Sequence, residues 1–154
     1  MIKRVLKRSN IEVSAMGFGC WAIGGEWGGD QPQGWGKVDD DESIQAIHQV
    51  LNLGLTFFDT ADVYGTGHSE HLLGRALDNR RQHVVIATRF GVTFDEVTKT
   101  PIGLDASTAY IRQACETSLK RINTDYIDLY QFLINDYDPD LAGEVYDTLE
   151  RLVN

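Results

Sequence analysis

Positive charge is scarce in this sequence: 14 Lys and Arg stand against 23 Asp and Glu, for a formal net charge of -9. Such a balance argues against nucleic acid and anionic membrane as partners, and a phosphorylated ligand would need a local positive site. No apolar run approaches the ~20 residues of a membrane span. The basic start MIKRVLKRS has no apolar stretch behind it, so no export signal is visible and a soluble, cytoplasmic protein is expected. Only two cysteines occur, Cys20 and Cys115, far apart and without CxxC or Cys/His ligand spacing. They are expected to be reduced core thiols. The HExxH pattern is missing: His68 and His71 stand three apart with no third ligand, so two exposed histidines near a helix start are expected, and no metal. His48 and His83 have no assignable partners. The glycine-rich stretch 24–37 lacks the GK[ST] ending of a phosphate-binding loop.

What is present alternates between strand and helix patterns. Residues 4–15 alternate around the polar turn Arg8-Ser9-Asn10, with Val5, Ile11 and Val13 as apolar members, which predicts a hairpin. Residues 16–23, MGFGCWAI, read as a short strand interrupted by glycines, where a ligand or another chain segment can approach the backbone closely. Gly17, Gly19 and Ala22 fit G-x-G-x-x-A, but the dinucleotide fingerprint needs a helix opening inside the motif. Gly24, Gly25, Gly28 and Gly29 follow at once and make that helix improbable. The loop 24–37, with Trp27 and Trp35, fits either a pocket lining or a mobile surface segment.

Asp39 to Glu42 supply cap and first-turn acids for a helix with Ile44, Ile47 and Leu51 on one face and Gly54 at its stop. Ser69 is the natural cap of a second helix with Leu72, Leu73, Ala76 and Leu77. Residues 84–88, VVIAT, form a continuous β-branched run suited to a parallel strand covered on both faces. After a long connection containing Pro101, Ser107 caps a helix carrying Ile111, Ala114, Cys115, Leu119 and Ile122. Residues 126–131, YIDLYQ, are the next strand, and Leu141, Val145, Leu149 and Leu152 make a last helix. A hairpin followed by four strand and helix pairs predicts a parallel sheet with right-handed crossovers, in one α/β domain spanning residues 1–154.

The organising stretch is residues 56–65, TFFDTADVYG. A buried strand stops at Asp59 and leads into a loop carrying Asp62 and Tyr64, which places ionisable groups at a strand tip, where parallel α/β barrels keep their chemistry. On spacing alone, a solvated strand end with a packing tyrosine fits as well.

That block, the helix SEHLLGRAL and the strand YIDLYQ together resemble the N-terminal half of the aldo-keto reductase family, over essentially the whole chain. The resemblance implies a TIM-barrel type fold, here a hairpin plus four βα units, half of an eightfold barrel, since a complete one usually needs ~250 residues. It implies reduction of a small aldehyde or ketone by hydride from NADPH, with Tyr64 as general acid in a tetrad with Asp59, a lysine and a histidine. The barrel rim at Gly19, Cys20 and Trp21, with Asp59 and Gln131, would meet the cofactor and substrate.

Two tetrad positions depart from the pattern. Arg89 stands where the family has its lysine, and a guanidinium keeps the charge and the pairing to Asp59 but not the geometry of a point charge. Leu133 stands where the histidine would orient the carbonyl, and it offers no hydrogen bond. The alternative is therefore a catalytically inactive half-barrel scaffold or pseudoenzyme in which Asp59 and Arg89 form only a structural ion pair. The later strands that supply much of the cofactor site would be absent from such a truncated barrel. The unpaired edges of its Met16 and Tyr126 strands predict a homo-oligomer, with a dimer able to supply eight strands.

Overall fold

The computed structural model describes residues 1–134, 138 and 142–153. Strands β1 (Lys3–Leu6) and β2 (Ile11–Ser14) form the expected antiparallel hairpin. Its turn places Arg8 and Asn10 in the left-handed region. The hairpin is fastened to the rest by a reciprocal pair: the Ser14 N–H donates to Thr56 Oγ1 at 3.0 Å, and the Thr56 N–H donates to Ser14 Oγ at 2.9 Å.

Four parallel strands make the central sheet in the order β3 (Gly17–Gly19), β4 (Phe57–Asp59), β5 (Val85–Phe90) and β8 (Leu129–Phe132). Spatial order follows chain order, as in a barrel wall. The intervening helices are α1 (Asp40–Asn52), α2 (His68–Leu77) and α3 (Thr108–Ile122), with α4 (Ala142–Val153) after β8. Leu141, expected on the last helix, lies outside the described residues. Asp39 caps α1 by accepting the Glu42 N–H, and Ser107 caps α3 by accepting the Tyr110 N–H. Each such cap satisfies an orphan helix donor and stabilises by ~1 kcal/mol.

The core lies between sheet and helices. Phe58 and Ile86 meet Ile47, Leu72, Leu73 and Leu77, all essentially sealed from solvent. Burying such a side chain contributes ~1.5–3 kcal/mol. A smaller cluster of Phe90, Ile111, Ala114 and Val145 joins β5 to α3 and α4.

Three local expectations are corrected. Ser69 does not cap α2, which starts one residue earlier behind Gly67; its hydroxyl instead donates to the Cys20 carbonyl at 2.8 Å and pairs with Thr60 Oγ1 at 2.9 Å. The long connection before α3 is a second hairpin, β6 (Val92–Asp95) with β7 (Thr100–Leu104). Asp95 Oδ1 holds its turn by accepting the Val97 and Thr98 N–H groups. Pro101 is tolerated because it lies opposite Phe94 where the register slips, the kind of site at which a missing N–H costs least. The third concerns the strand expected over residues 16–23. It is confined to Gly17–Gly19, and a single 3-10 turn, Ala22–Gly24, follows; no α-helix opens after Gly19, as the glycines there imply.

Candidate active site

Strand register brings the site together. Gly19, Asp59 and Ala87 are level across β3, β4 and β5, and Arg89 lies two residues further along β5, level with Gln131. Arg89 Nη2 donates to both carboxylate oxygens of Asp59, at 2.5 and 2.6 Å. Its Nη1 donates to the Tyr64 hydroxyl at 2.7 Å. Carboxylate, guanidinium and phenol thus meet on one lip of a parallel sheet.

Tyr64 reaches that lip because its loop is pressed onto the loop after β3. A Cβ at Gly65 would lie 1.9 Å from the Gly24 carbonyl oxygen, so only glycine permits the approach. Trp21, 43% exposed, lies against the phenol with ring centroids 6.2 Å apart and planes 26° from parallel.

Burial and the neighbouring cation act on the phenol in opposite directions. Burial pushes the Tyr64 hydroxyl above its ordinary value, and the Arg89 charge lowers it without cancelling that rise. For Arg89, burial acts downward, but bonding to Asp59 and Tyr64 outweighs it and holds the guanidinium charged.

The remaining predicted residues are distributed unevenly. Gly19 is open, with nothing within 4 Å of an added Cβ. Cys20 turns its side chain into the core, where burial raises the thiol; at the rim it offers its N–H, which donates to the Asp59 carbonyl at 2.8 Å. Cys115 is also a free thiol, partly buried. Gln131 is exposed beside Arg89. Leu133 follows β8 and is half-buried, its N–H donating to the Phe90 carbonyl at 2.9 Å.

Among the described residues no cluster of His, Cys, Asp or Glu could hold a metal. His71 is exposed, whereas His68 is half-buried and bonds Asp40 at 2.9 Å. His48 also has a partner, the Ala76 carbonyl at 2.9 Å. Loop 24–37 does line a pocket, of about 550 Å³, with Trp27, Lys37, Lys99 and His68 on its walls. An open groove of about 800 Å³, lined by Arg81, Leu119, Lys120 and Tyr126 among others, shares no residue with the triad.

Sequence reasoning missed a second ionic group behind the sheet. Glu70, fully buried, accepts from Thr88 Oγ1 at 2.7 Å and from Arg121 Nη1 at 3.3 Å, while Arg121 Nη2 bonds Glu96. Asp62 is buried beside them with no hydrogen-bond partner at Oδ1 among the described residues. A signal existed for Glu70: it shares the i, i+3, i+7 stripe of α2 with Leu73 and Leu77, so it had to face the core.

Comparison with known proteins places the chain in a family. The profile described as Aldo/keto reductase family matches residues 15–154. The chain is 35% identical over 131 residues to the uncharacterized oxidoreductase YqkF of Bacillus subtilis, covering 85% of this chain and 38% of that protein. It is 39% identical over 125 residues to the aldo-keto reductase YhdN of the same organism, covering 80% of this chain and 35% of the relative. Among solved structures it aligns with the holo form of aldo-keto reductase AKR11C1 from Bacillus halodurans, with a TM-score of 0.82 and 36% identity, over 99% of this chain and 46% of that one. An aldo-keto reductase from Klebsiella pneumoniae in complex with NADPH aligns with a TM-score of 0.73 and 27% identity, over 99% and 46% of the two chains. The chain therefore spans less than half the length of these relatives.

Proposed function

The chain belongs to the aldo/keto reductase family, and we propose that its rim triad serves the reduction of a small aldehyde or ketone, with Tyr64 as the proton donor and NADPH as the reductant. The observation that carries this reading is the fork of Arg89 between Asp59 and Tyr64. A carbonyl oxygen gains negative charge as its carbon is reduced and needs a positioned proton. The Tyr64 oxygen accepts from Arg89, so its single O–H remains free to donate toward the open side of the rim. As that proton leaves, the adjacent guanidinium stabilises the phenolate, and Asp59 keeps the guanidinium aimed.

The residues beside the triad suit the nicotinamide end of such a cofactor. Gly19 leaves open space, Trp21 offers an exposed aromatic plane, and Gln131 offers an amide to a carboxamide. Asp59 is level with Gly19 on the neighbouring strand, and Cys20 contributes backbone only. When bound, NADPH would supply the hydride. Arg89 is engaged by Asp59 and Tyr64, so the phosphates would need cations from elsewhere.

A second reading is favoured by Leu133. An apolar side chain at the place where the resemblance expects a histidine cannot orient a carbonyl, and the polypeptide would then be a non-catalytic half-barrel in which Asp59 and Arg89 only hold two strands together. Pairing of two copies through the outer strands β3 and β8 belongs to that reading, and sedimentation at micromolar concentration would test it, a monomer removing it.

Mixing the chain with NADPH separates the two readings. Enhanced or blue-shifted nicotinamide fluorescence supports the reductase reading, and an unchanged spectrum at high protein concentration ends it for this polypeptide. Arg89→Lys with Leu133→His should raise aldehyde turnover by ~100-fold or more if those two positions limit the chemistry.

A further inference from the structure

Asp62 lies two residues before Tyr64 in the same loop, and its surroundings are unusual for a carboxylate. It is 2% exposed, and its Oδ1 has no hydrogen-bond partner among the described residues. The side chain borders a cavity of about 150 Å³ under the β6–β7 hairpin. The charged and titratable groups facing it are Glu70 from α2, Arg121 and Tyr110 from α3, Glu96 from the hairpin turn, and Tyr130 from β8. Arg121, the nearest cation, is already divided between Glu70 and Glu96. Burial raises the Glu70 carboxyl too, but its donors Thr88 and Arg121 act against that rise, which leaves Asp62 as the better placed of the two buried acids to hold a proton.

The backbone ties this group to the rim. The Thr60 N–H donates to the Ala87 carbonyl at 2.8 Å and the Asp62 N–H to the Arg89 carbonyl at 3.0 Å, so the ladder between β4 and β5 continues into the loop and ends at Asp62. From there the chain turns, with the Tyr64 N–H on the Ala61 carbonyl, and delivers the phenol to Arg89. The loop is thus held on β5 at the residue whose side chain is buried without a full set of partners.

We propose that Asp62 is a positioning residue for Tyr64: kept neutral in its cavity it holds residues 60–66 on β5, and loss of its proton loosens that loop and moves the phenol away from Arg89. Ionised Asp62 would face Glu70 with no free cation among the described residues, and the neighbouring cavity gives the carboxylate room to shift and draw in water. Burial, with the Glu70 charge second, pushes the Asp62 carboxyl up to about 8, so the change falls in a range where a phenol is still protonated. The consequence for catalysis rests on Tyr64 being the proton donor, but the geometry does not.

The test therefore reads geometry. Protein labelled with ¹³C in aspartate carboxyls and tyrosine rings is titrated by NMR from about pH 5 to about pH 10, with Asp62→Asn and Tyr64→Phe assigning the two signals. The expected result is one midpoint shared by the Asp62 carboxyl and the Tyr64 ring, and no inflection of the ring in Asp62→Asn below its own ionisation. An Asp62 midpoint in the ordinary carboxylate range near ~4, or a Tyr64 ring unmoved as Asp62 titrates, overturns the proposal. Should Asp62→Asn not fold, Asp62→Glu serves for assignment and the two wild-type midpoints decide. None of these outcomes depends on NADPH binding, so a failed reductase reading leaves the result interpretable.

Discussion

Asp59 and Asp62 lie three residues apart in one segment and meet opposite environments. Asp59 is a third exposed and receives both contacts of the Arg89 Nη2. Asp62 is buried behind the sheet, with Oδ1 unpartnered among the described residues and the neighbouring Arg121 occupied by two other carboxylates. The same side chain is a matched ion in one place and a strained acid in the other. The difference arises from which face of the β4 extension each occupies. It also separates two kinds of ionic group: at the rim, bulk water can replace a lost partner, whereas behind the sheet only the small cavity beside Asp62 can admit it.

That contrast predicts a graded series of stability losses. Arg121→Ala removes the partner of fully buried Glu70 and should cost about 3–5 kcal/mol in urea unfolding, with the midpoint falling and the slope unchanged. Arg89→Leu removes an equally charged pair, but the side chains of Arg89 and Asp59 are 22% and 33% exposed. Its cost should be nearer 1–3 kcal/mol, because water reaches the abandoned carboxylate. Equal losses for the two variants would break the comparison.

Asp62→Asn should act through pH. The folded-state carboxyl holds its proton to about 8, while the unfolded one releases it near the model-peptide value, so folding takes up a proton between those limits. The contribution of Asp62 to stability is thus fully present below about pH 4 and is lost as the pH rises through about 8. Asp62→Asn should flatten that slope and, at alkaline pH, unfold later than wild type, by about 1–2 kcal/mol. Parallel profiles for the two proteins would mean that Asp62 ionises normally and that its burial carries no penalty.

The legible and illegible parts of the chain follow the same division. The hairpin, the four parallel strands and the helix faces could be read because each expresses a local period or a cap, as at Asp39 and Ser107. The convergence of Asp59, Tyr64 and Arg89 is implied by the family resemblance and not by spacing, which fits a solvated strand end as well; the register of adjacent parallel strands is what brings the three to one rim. Partners set by long-range packing could not be read. Ser69 looks like a helix cap until the Cys20 carbonyl arrives from a segment 49 residues away. The β6–β7 hairpin was hidden by Pro101, which reads as a strand breaker until the register slip opposite it is known. Asp62 is legible only as a loop residue after Asp59, and nothing local announces that it and Arg121 both face Glu70.

The smallest expected effect tests the rim from within. Arg89→Lys keeps a cation beside Asp59 but replaces a two-armed fork with one ammonium, which can satisfy the carboxylate while leaving Tyr64 without its present donor. Since the Asp59 pairing survives, the loss of stability should stay below about 1 kcal/mol. The phenol should respond more clearly. At present Arg89 offsets part of the rise that burial imposes on Tyr64, through both its charge and its hydrogen bond. With the hydrogen bond removed and the charge drawn toward Asp59, the phenol should ionise at higher pH than in wild type, read by ultraviolet difference titration against Tyr64→Phe. A lower value instead would mean that the ammonium sits on the phenol, and that Asp59, not Tyr64, is the group the guanidinium fork was needed to reach.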